Sequence, residues 1–216
     1  MSPKAAIFDF DGTLVESVGI KDRAFHSLFA ADYPAQIDAI MAYHRANNAK
    51  VRFDKFRHIT ETILGERYTE ARAADLAQRF NAFVFDAIVA CEAVPGLDPL
   101  LDELSPRLPL YLVSTSPDDE LLAILSARKL AARMRGIYGA SWRKTDAFRD
   151  ILRREGIAAS DAIMVGDTPE DRASAEAVGI VFIGRDSGYP LGSCIPIHRD
   201  LHGVLRDIRE RLSVAA

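Results

Sequence analysis

The chain has 216 residues, 49% of them apolar and 27% charged, which is enough to bury a core and too apolar for disorder. A net charge of -4 leaves no electrostatic footprint for nucleic acid, and no apolar run approaches the length of a membrane span. Two distant cysteines, Cys91 and Cys194, have no metal-ligand spacing, and Met1-Ser2-Pro3-Lys4 leaves no room for a signal peptide; both point to a reduced, cytoplasmic compartment, with the cysteines as inert packing residues.

Ala5-Ala6-Ile7-Phe8 is a short apolar run that stops at Asp9, and it reads as a buried strand. Asp9-Phe10-Asp11-Gly12-Thr13 follows it, with Gly12 suited to a tight turn. Two carboxylates two residues apart repel each other, and a cation between them relieves that repulsion. The plain alternative is a solvated strand end with unrelated acids.

From Ser17 to Cys91 the spacing is helical, with no strand between. Ile20, Ala24 and Leu28 share one face, Ile37, Ile40, Met41 and His44 another, and Leu76, Phe80, Phe83, Val84 and Ala87 a third. After Val94-Pro95-Gly96 the texture changes. Leu97 to Leu104 reads as a helix, and Leu110 to Val113 as a strand ending at Ser114-Thr115-Ser116. Pro117 and three acids then open another helix. Ile137-Tyr138 is a weak strand, and a helix runs from about Asp146 to Glu155, stopped by Gly156. Ala162 to Val165 is a strand ending at Gly166-Asp167, Pro169 opens a helix that Gly179 closes, and Ile180 to Ile183 is a further strand. Ile195-Pro196-Ile197 suits an edge, and Leu201 to Leu212 is a final helix.

Strands alternating with helices predict an α/β fold with a Rossmann-like parallel sheet. The block at 17–92 breaks the alternation and reads as an inserted all-helical domain, leaving 1–16 and 93–216 as the α/β core. Ligands of such sheets bind at the carboxyl ends of the strands, where Asp9, Ser114 and Asp167 are all expected.

Gly166-Asp167-Thr168-Pro169-Glu170-Asp171 has a structural explanation as a helix cap. Beside Asp9 and Asp11 it also completes an oxygen-only donor set of the kind Mg²⁺ prefers. Ser114, in a strand-to-helix turn with Thr115, suits phosphate oxygens. A phosphate beside several carboxylates needs a cation, and Lys144 and Arg143 compete for that place. In the inserted helical block Arg45, Lys50, Arg52, Lys55, Arg57 and His58 form a charged stretch. Arg52 or Lys55 is a candidate there to bind an anionic or hydroxylated group; the alternative is a solvated helix face. Trp142 is open to packing or to lining the cleft. His26, His44, His198 and His202 have no ligand spacing and read as structural or surface residues.

Asp9-x-Asp11-Gly12-Thr13, Ser114, Lys144 and Gly166-Asp167-x-x-x-Asp171, in that order, resemble the four motifs of the haloacid dehalogenase superfamily, phosphoglycolate phosphatase-like members included. The layout covers the whole chain, and the insertion resembles the α-helical cap of the first type. One departure is Thr145, where the family usually has proline after the lysine.

The resemblance implies a fold and a set of roles. Asp9 would be the nucleophile that forms an aspartyl-phosphate, and Asp11 would protonate the leaving oxygen and then activate water. Mg²⁺ would be held by the Asp9 side chain, the Asp11 backbone carbonyl and Asp167, with Asp171 close by. Ser114, Thr115 and Lys144 would clasp the phosphoryl oxygens, and the cap would select the substrate by closing over the crevice. Retaining Asp11 implies phosphate-ester chemistry rather than carbon–halogen or phosphonate cleavage. Lys21 stands where sugar phosphomutases with this cap tend to carry histidine, which favours hydrolysis. The expectation is therefore a Mg²⁺-dependent phosphatase for a small soluble phosphomonoester, acting as a monomer or homodimer without nucleic acid or membrane. The alternatives are a sugar phosphomutase and a catalytically silent binding module.

Overall fold

The computed structural model describes residues 2–48 and 50–213; Met1, Ala49 and residues 214–216 of the expected domains lie outside them. The chain divides into two compact units, one formed by 1–16 with 92–216 and the other by 17–91.

In the first unit a parallel sheet of six strands among the described residues has the order β3-β2-β1-β4-β5-β6. The strands are β1 (Ala5–Phe8), β2 (Leu110–Val113), β3 (Gly136–Tyr138), β4 (Ala162–Gly166), β5 (Val181–Arg185) and β6 (Ile197–His198). β1, β2 and β4 are buried along their whole length, which explains their unbroken apolar runs: both sheet faces are covered. Ile7, Tyr111, Val113, Met164 and Phe182 share a core with Ala147, Phe148, Ile151 and Ala175, which lie on α7 (Lys144–Glu155) and α8 (Pro169–Val178). Elsewhere in this unit α5 (Leu97–Leu104) packs on α9 (Leu201–Ser213), and α9 packs on β5 and β6. α6 (Asp118–Ala127) follows β2.

The chain moves from β1 to one edge through β2 and β3, and then to the other through β4, β5 and β6. The direction reverses between β1 and β4, the place where open α/β sheets bind ligands. β1 is hydrogen-bonded to β2 on one side and β4 on the other, with Phe8 level with Leu112 and Val165. The residues leaving these three strands are therefore neighbours.

The second unit holds α1 (Val18–Phe29), α2 (Ile37–Ala46), α3 (Arg52–His58), a π-helical turn at Ile59–Ile63, and α4 (Glu70–Ala90). Thr69 opens α4 by accepting a hydrogen bond from the Arg72 amide at 3.2 Å. The core is aromatic: Phe25 meets Phe56 and Phe80 with ring centroids 5.6 and 5.3 Å apart. Leu76, Phe80, Val84 and Ile88 form the buried row of α4, whereas Phe83 is 53% exposed. An i, i+4 row turns slowly around a helix, and by its second half it has turned away from Phe83. Cys194 is exposed rather than packed.

Candidate active site

Asp9 leaves β1, Ser114 leaves β2 and Asp167 leaves β4, so strand order and parallel direction place the three together at the carboxyl end of the sheet. The Asp9 amide continues the ladder by donating to the Val165 carbonyl at 2.9 Å. Asp171 joins them from the first turn of α8. There Thr168 and Asp171 form a reciprocal capping box: the Asp171 amide donates to Thr168 Oγ1 at 3.2 Å, and Asp171 Oδ2 accepts from the Thr168 amide at 3.1 Å. The sequence segment that reads as a cap is a cap, and the cap aims a carboxylate. Gly166 makes room for it, because a Cβ at this position would lie 2.6 Å from the Asp171 Cβ.

Carboxylate oxygens of Asp9, Asp167 and Asp171, all buried, lie within 4.8 Å of one another. Lys144, the first residue of α7, closes the group: its ammonium donates to Asp9 Oδ1 at 2.7 Å and to Asp171 Oδ1. Arg143, the competing cation, is the exposed cap residue of that helix. The expected helix start at Asp146 is two residues late, and Lys144, the first residue of α7, has its side chain buried against Asp9 and Asp171. Three carboxylates against one ammonium leave an excess of two negative charges when all are ionised.

That excess shows in the proton affinities. Burial raises Asp9 well above the usual carboxylate range; Lys144 pulls it down, and Asp171 and Asp167 push it up. Asp167 is raised to about 7 by burial and by the Asp171 charge, against the pull of the nearby Ser187 hydroxyl, Lys144 and Thr13. Burial lowers Lys144, but the Asp171 and Asp9 charges outweigh it and hold the ammonium protonated. Thr13 Oγ1 donates to Asp167 Oδ1 at 3.1 Å, whereas Asp167 Oδ2 is buried with no hydrogen bond among the described residues. An orphaned buried carboxylate oxygen, in an all-oxygen cluster with two surplus negative charges, fits a divalent cation.

Asp11 lies outside the three-carboxylate group, and its Oδ2 accepts from Ser116 Oγ at 3.3 Å. It sits on a loop shaped by Gly12, whose φ is +78° and whose amide donates to the Val15 carbonyl at 2.8 Å. Ser114 is buried, and its Oγ accepts from the Ser116 amide at 3.1 Å; Thr115 beside it is half-buried. Trp142 is 40% exposed, its ring edge-on to Tyr138 with centroids 5.2 Å apart.

Arg52 and Lys55 are buried in the helical unit, so neither is a solvated surface charge. Arg52 donates to Asn81 Oδ1 at 3.0 Å and stacks over Phe80. The Lys55 ammonium lies 3.4 Å from His44 Nδ1 and 4.8 Å from the centre of the Phe25 ring. His44 has no exposed surface, stacks on Phe25 at 3.9 Å and pairs with Asp22 through Nε2 at 3.0 Å. Burial and the Lys55 charge lower it to about 3, so it is a neutral ring whose Nδ1 accepts from Lys55. The sequence marks His44 only as structural or surface and does not connect it to Lys55; helical spacing carries no signal for a pairing across two helices.

Ser116 and Arg185 do not stand out in the sequence either. Arg185 follows an apolar run expected to end at Ile183, and no pattern marks an arginine at a strand end.

The family model of haloacid dehalogenase-like hydrolases matches residues 6–185. The phosphoglycolate phosphatase of Rhodospirillum rubrum is 32% identical over 87% of this chain and 81% of its own length. Phosphoglycolate phosphatase 1 of Pseudomonas aeruginosa is 29% identical over 88% of this chain and 72% of its own. A crystal structure of a predicted phosphoglycolate phosphatase from Haemophilus somnus has the same fold, with a TM-score of 0.76 and 18% identity over 96% of this chain and 98% of that one. No helix among the described residues is long and apolar enough to cross a membrane.

Proposed function

We propose that this chain, which belongs to the haloacid dehalogenase-like hydrolase family and is a phosphoric monoester hydrolase, acts on a small phosphoglycolate-like or sugar phosphate with Mg²⁺ and forms an aspartyl-phosphate on Asp9. The observation that carries this reading is the position of Lys144, bonded to Asp9 and Asp171 at the edge of a three-carboxylate cluster. Such a site would place a cation and an ammonium where phosphoryl oxygens need positive charge. The phosphoglycolate phosphatase relatives support the substrate class.

The Asp9 and Asp167 side chains would hold the metal, with the Asp11 backbone carbonyl, and Asp171 stands close by. When bound, Mg²⁺ neutralises phosphoryl charge and orients the ester. Asp9 attacks phosphorus, the bond to the leaving oxygen breaks, and Asp11 gives that oxygen its proton. Asp11 then takes a proton from water as the water oxygen attacks phosphorus. The Asp9–phosphate bond breaks, inorganic phosphate leaves and the Asp9 carboxylate is restored. Ser114, Thr115 and Lys144 hold the phosphoryl oxygens. Lys144 also favours the ionised form of Asp9, partly offsetting the larger effect of burial.

The helical unit would serve as the family's cap, with Arg52 or Lys55 as its candidate for the anionic or hydroxylated part of the substrate. Both cations are held inside that unit, Arg52 by Asn81 and Lys55 near His44, and their role is read from their charge. The protein works as a monomer or homodimer in the cytoplasm.

The test is phosphate release from p-nitrophenyl phosphate with and without Mg²⁺. Activity should need the metal and vanish in Asp9→Asn; persistent turnover in that variant refutes the mechanism. Product analysis on hexose phosphates should give free sugar and no isomer.

A further inference from the structure

We propose that Arg185 is a positioning residue for Asp11, a role that rests on Asp11 being the acid–base of the reaction. Arg185 ends β5, and the pairing of Gly184 with Gly166 puts it level with Asp167 at the carboxyl end of the sheet, which carries the site. Its guanidinium reaches the loop that carries Asp11. One terminal nitrogen donates to the Gly12 carbonyl at 2.8 Å, across 173 positions of sequence, and the other pairs with Glu16.

The loop's own bonds set its shape. The Phe10 carbonyl accepts from the amides of Leu14 at 2.9 Å and Thr13 at 3.3 Å. Arg185 ties that shaped loop to the sheet at two points. Gly12 is the residue directly after Asp11, and Glu16 is bonded through its amide to the Glu92 carbonyl at 3.0 Å, where the chain leaves and re-enters the core. A shift of the Gly12 peptide would displace Asp11 with it.

The arrangement is costly for stability alone. Arg185 is only 6% exposed, and its Nε is buried with no hydrogen bond among the described residues. A buried, incompletely paired guanidinium is a poor substitute for an apolar side chain. Its geometry instead suits positioning, because a planar fork can hold a carbonyl and a carboxylate at once. Asp11 itself also meets the Ser116 hydroxyl, so the loop is braced from β5 and its acid is braced from the end of β2.

The test compares kcat/KM for two esters in the wild type, Arg185→Ala, Arg185→Lys and Asp11→Asn. The nitrophenolate of p-nitrophenyl phosphate leaves with little help from an acid, whereas the alkoxide of an alkyl phosphate such as phosphoglycolate needs its proton. Misplacing Asp11 should therefore lower kcat/KM for the alkyl ester about tenfold or more beyond any loss on the aryl ester. Arg185→Lys, which keeps the charge but not the fork, should show the same selective loss at smaller size. It also serves as the test if Arg185→Ala fails to fold. Equal losses on the two esters in the Arg185 variants, with selective loss in Asp11→Asn, overturn the role of Arg185. Equal losses in Asp11→Asn itself overturn the acid–base role of Asp11, and that of Arg185 with it.

Discussion

Asp167→Asn should stabilise the metal-free protein above neutral pH while removing its response to Mg²⁺. Asp167 is fully buried, and burial together with Asp171 raises its carboxyl from 3.8 to about 7. A folded-state value above the unfolded one means that this group's contribution is fully present below about pH 4. It is lost as the pH rises through about 7. At about 1.4 kcal/mol per tenfold change in proton affinity, moving from 3.8 to about 7 corresponds to roughly 4 kcal/mol. The amide brings an N–H that Lys144 cannot satisfy, which offsets about 1–2 kcal/mol. The net expectation is a gain of about 2–3 kcal/mol at pH 8 in EDTA and a shallower fall in stability between pH 4 and 8. Asp9 is raised too, so some slope remains. Urea unfolding followed by Trp142, the single tryptophan, reads the α/β unit directly. Adding Mg²⁺ at a hundred times its Kd should stabilise the wild type by about 2.7 kcal/mol and leave the variant unmoved. A variant less stable than wild type at pH 8 without metal, or with an unchanged pH slope, would refute the reasoning that this carboxylate is under electrostatic stress.

Lys144→Met removes the cation that faces Asp9 and Asp171; kcat should fall by about 10²–10³. Metal-free stability at pH 8 should fall by about 3–5 kcal/mol, because a buried pair is broken on one side only. Wild-type urea midpoints in this variant would show that Lys144 does not restrain the carboxylates. Lys55→Met keeps the bulk of a buried side chain, so KM for the best anionic ester should rise about tenfold with kcat little changed. An unchanged KM removes Lys55 from substrate recognition.

The buried strands and their end points are legible in the sequence because each is a local event: an apolar run of four residues stopped by a charged or turn residue. β1, β2 and β4 end where Asp9, Ser114 and Gly166-Asp167 begin to break the pattern. α8 is equally local, since Thr168, Pro169 and Asp171 carry its capping box and its start within four residues. Lys144 and Arg143 are harder to separate. They are adjacent, chemically alike, and distinguished only by which one the first turn of α7 directs inward.

Other features depend on partners far away in sequence. Nothing local indicates that Arg52 and Lys55 are buried, because a charged stretch on a helix is ordinarily solvated; here Asn81, Phe80, His44 and Phe25 receive them from other helices. Arg185 meets Gly12 across nearly the whole chain. By itself, the sequence determined the buried strands β1, β2 and β4, the capped start of α8, and which carboxylates and hydroxyls stand at those ends, because those depend on neighbours a few residues away. Only the tertiary structure decided that β1 lies between β2 and β4, that Asp9, Asp167 and Asp171 share one buried cluster, and that Lys144 pairs with two of its members. Strand order and the burial of charge are set by contacts between distant segments, and those appear only when the chain is folded.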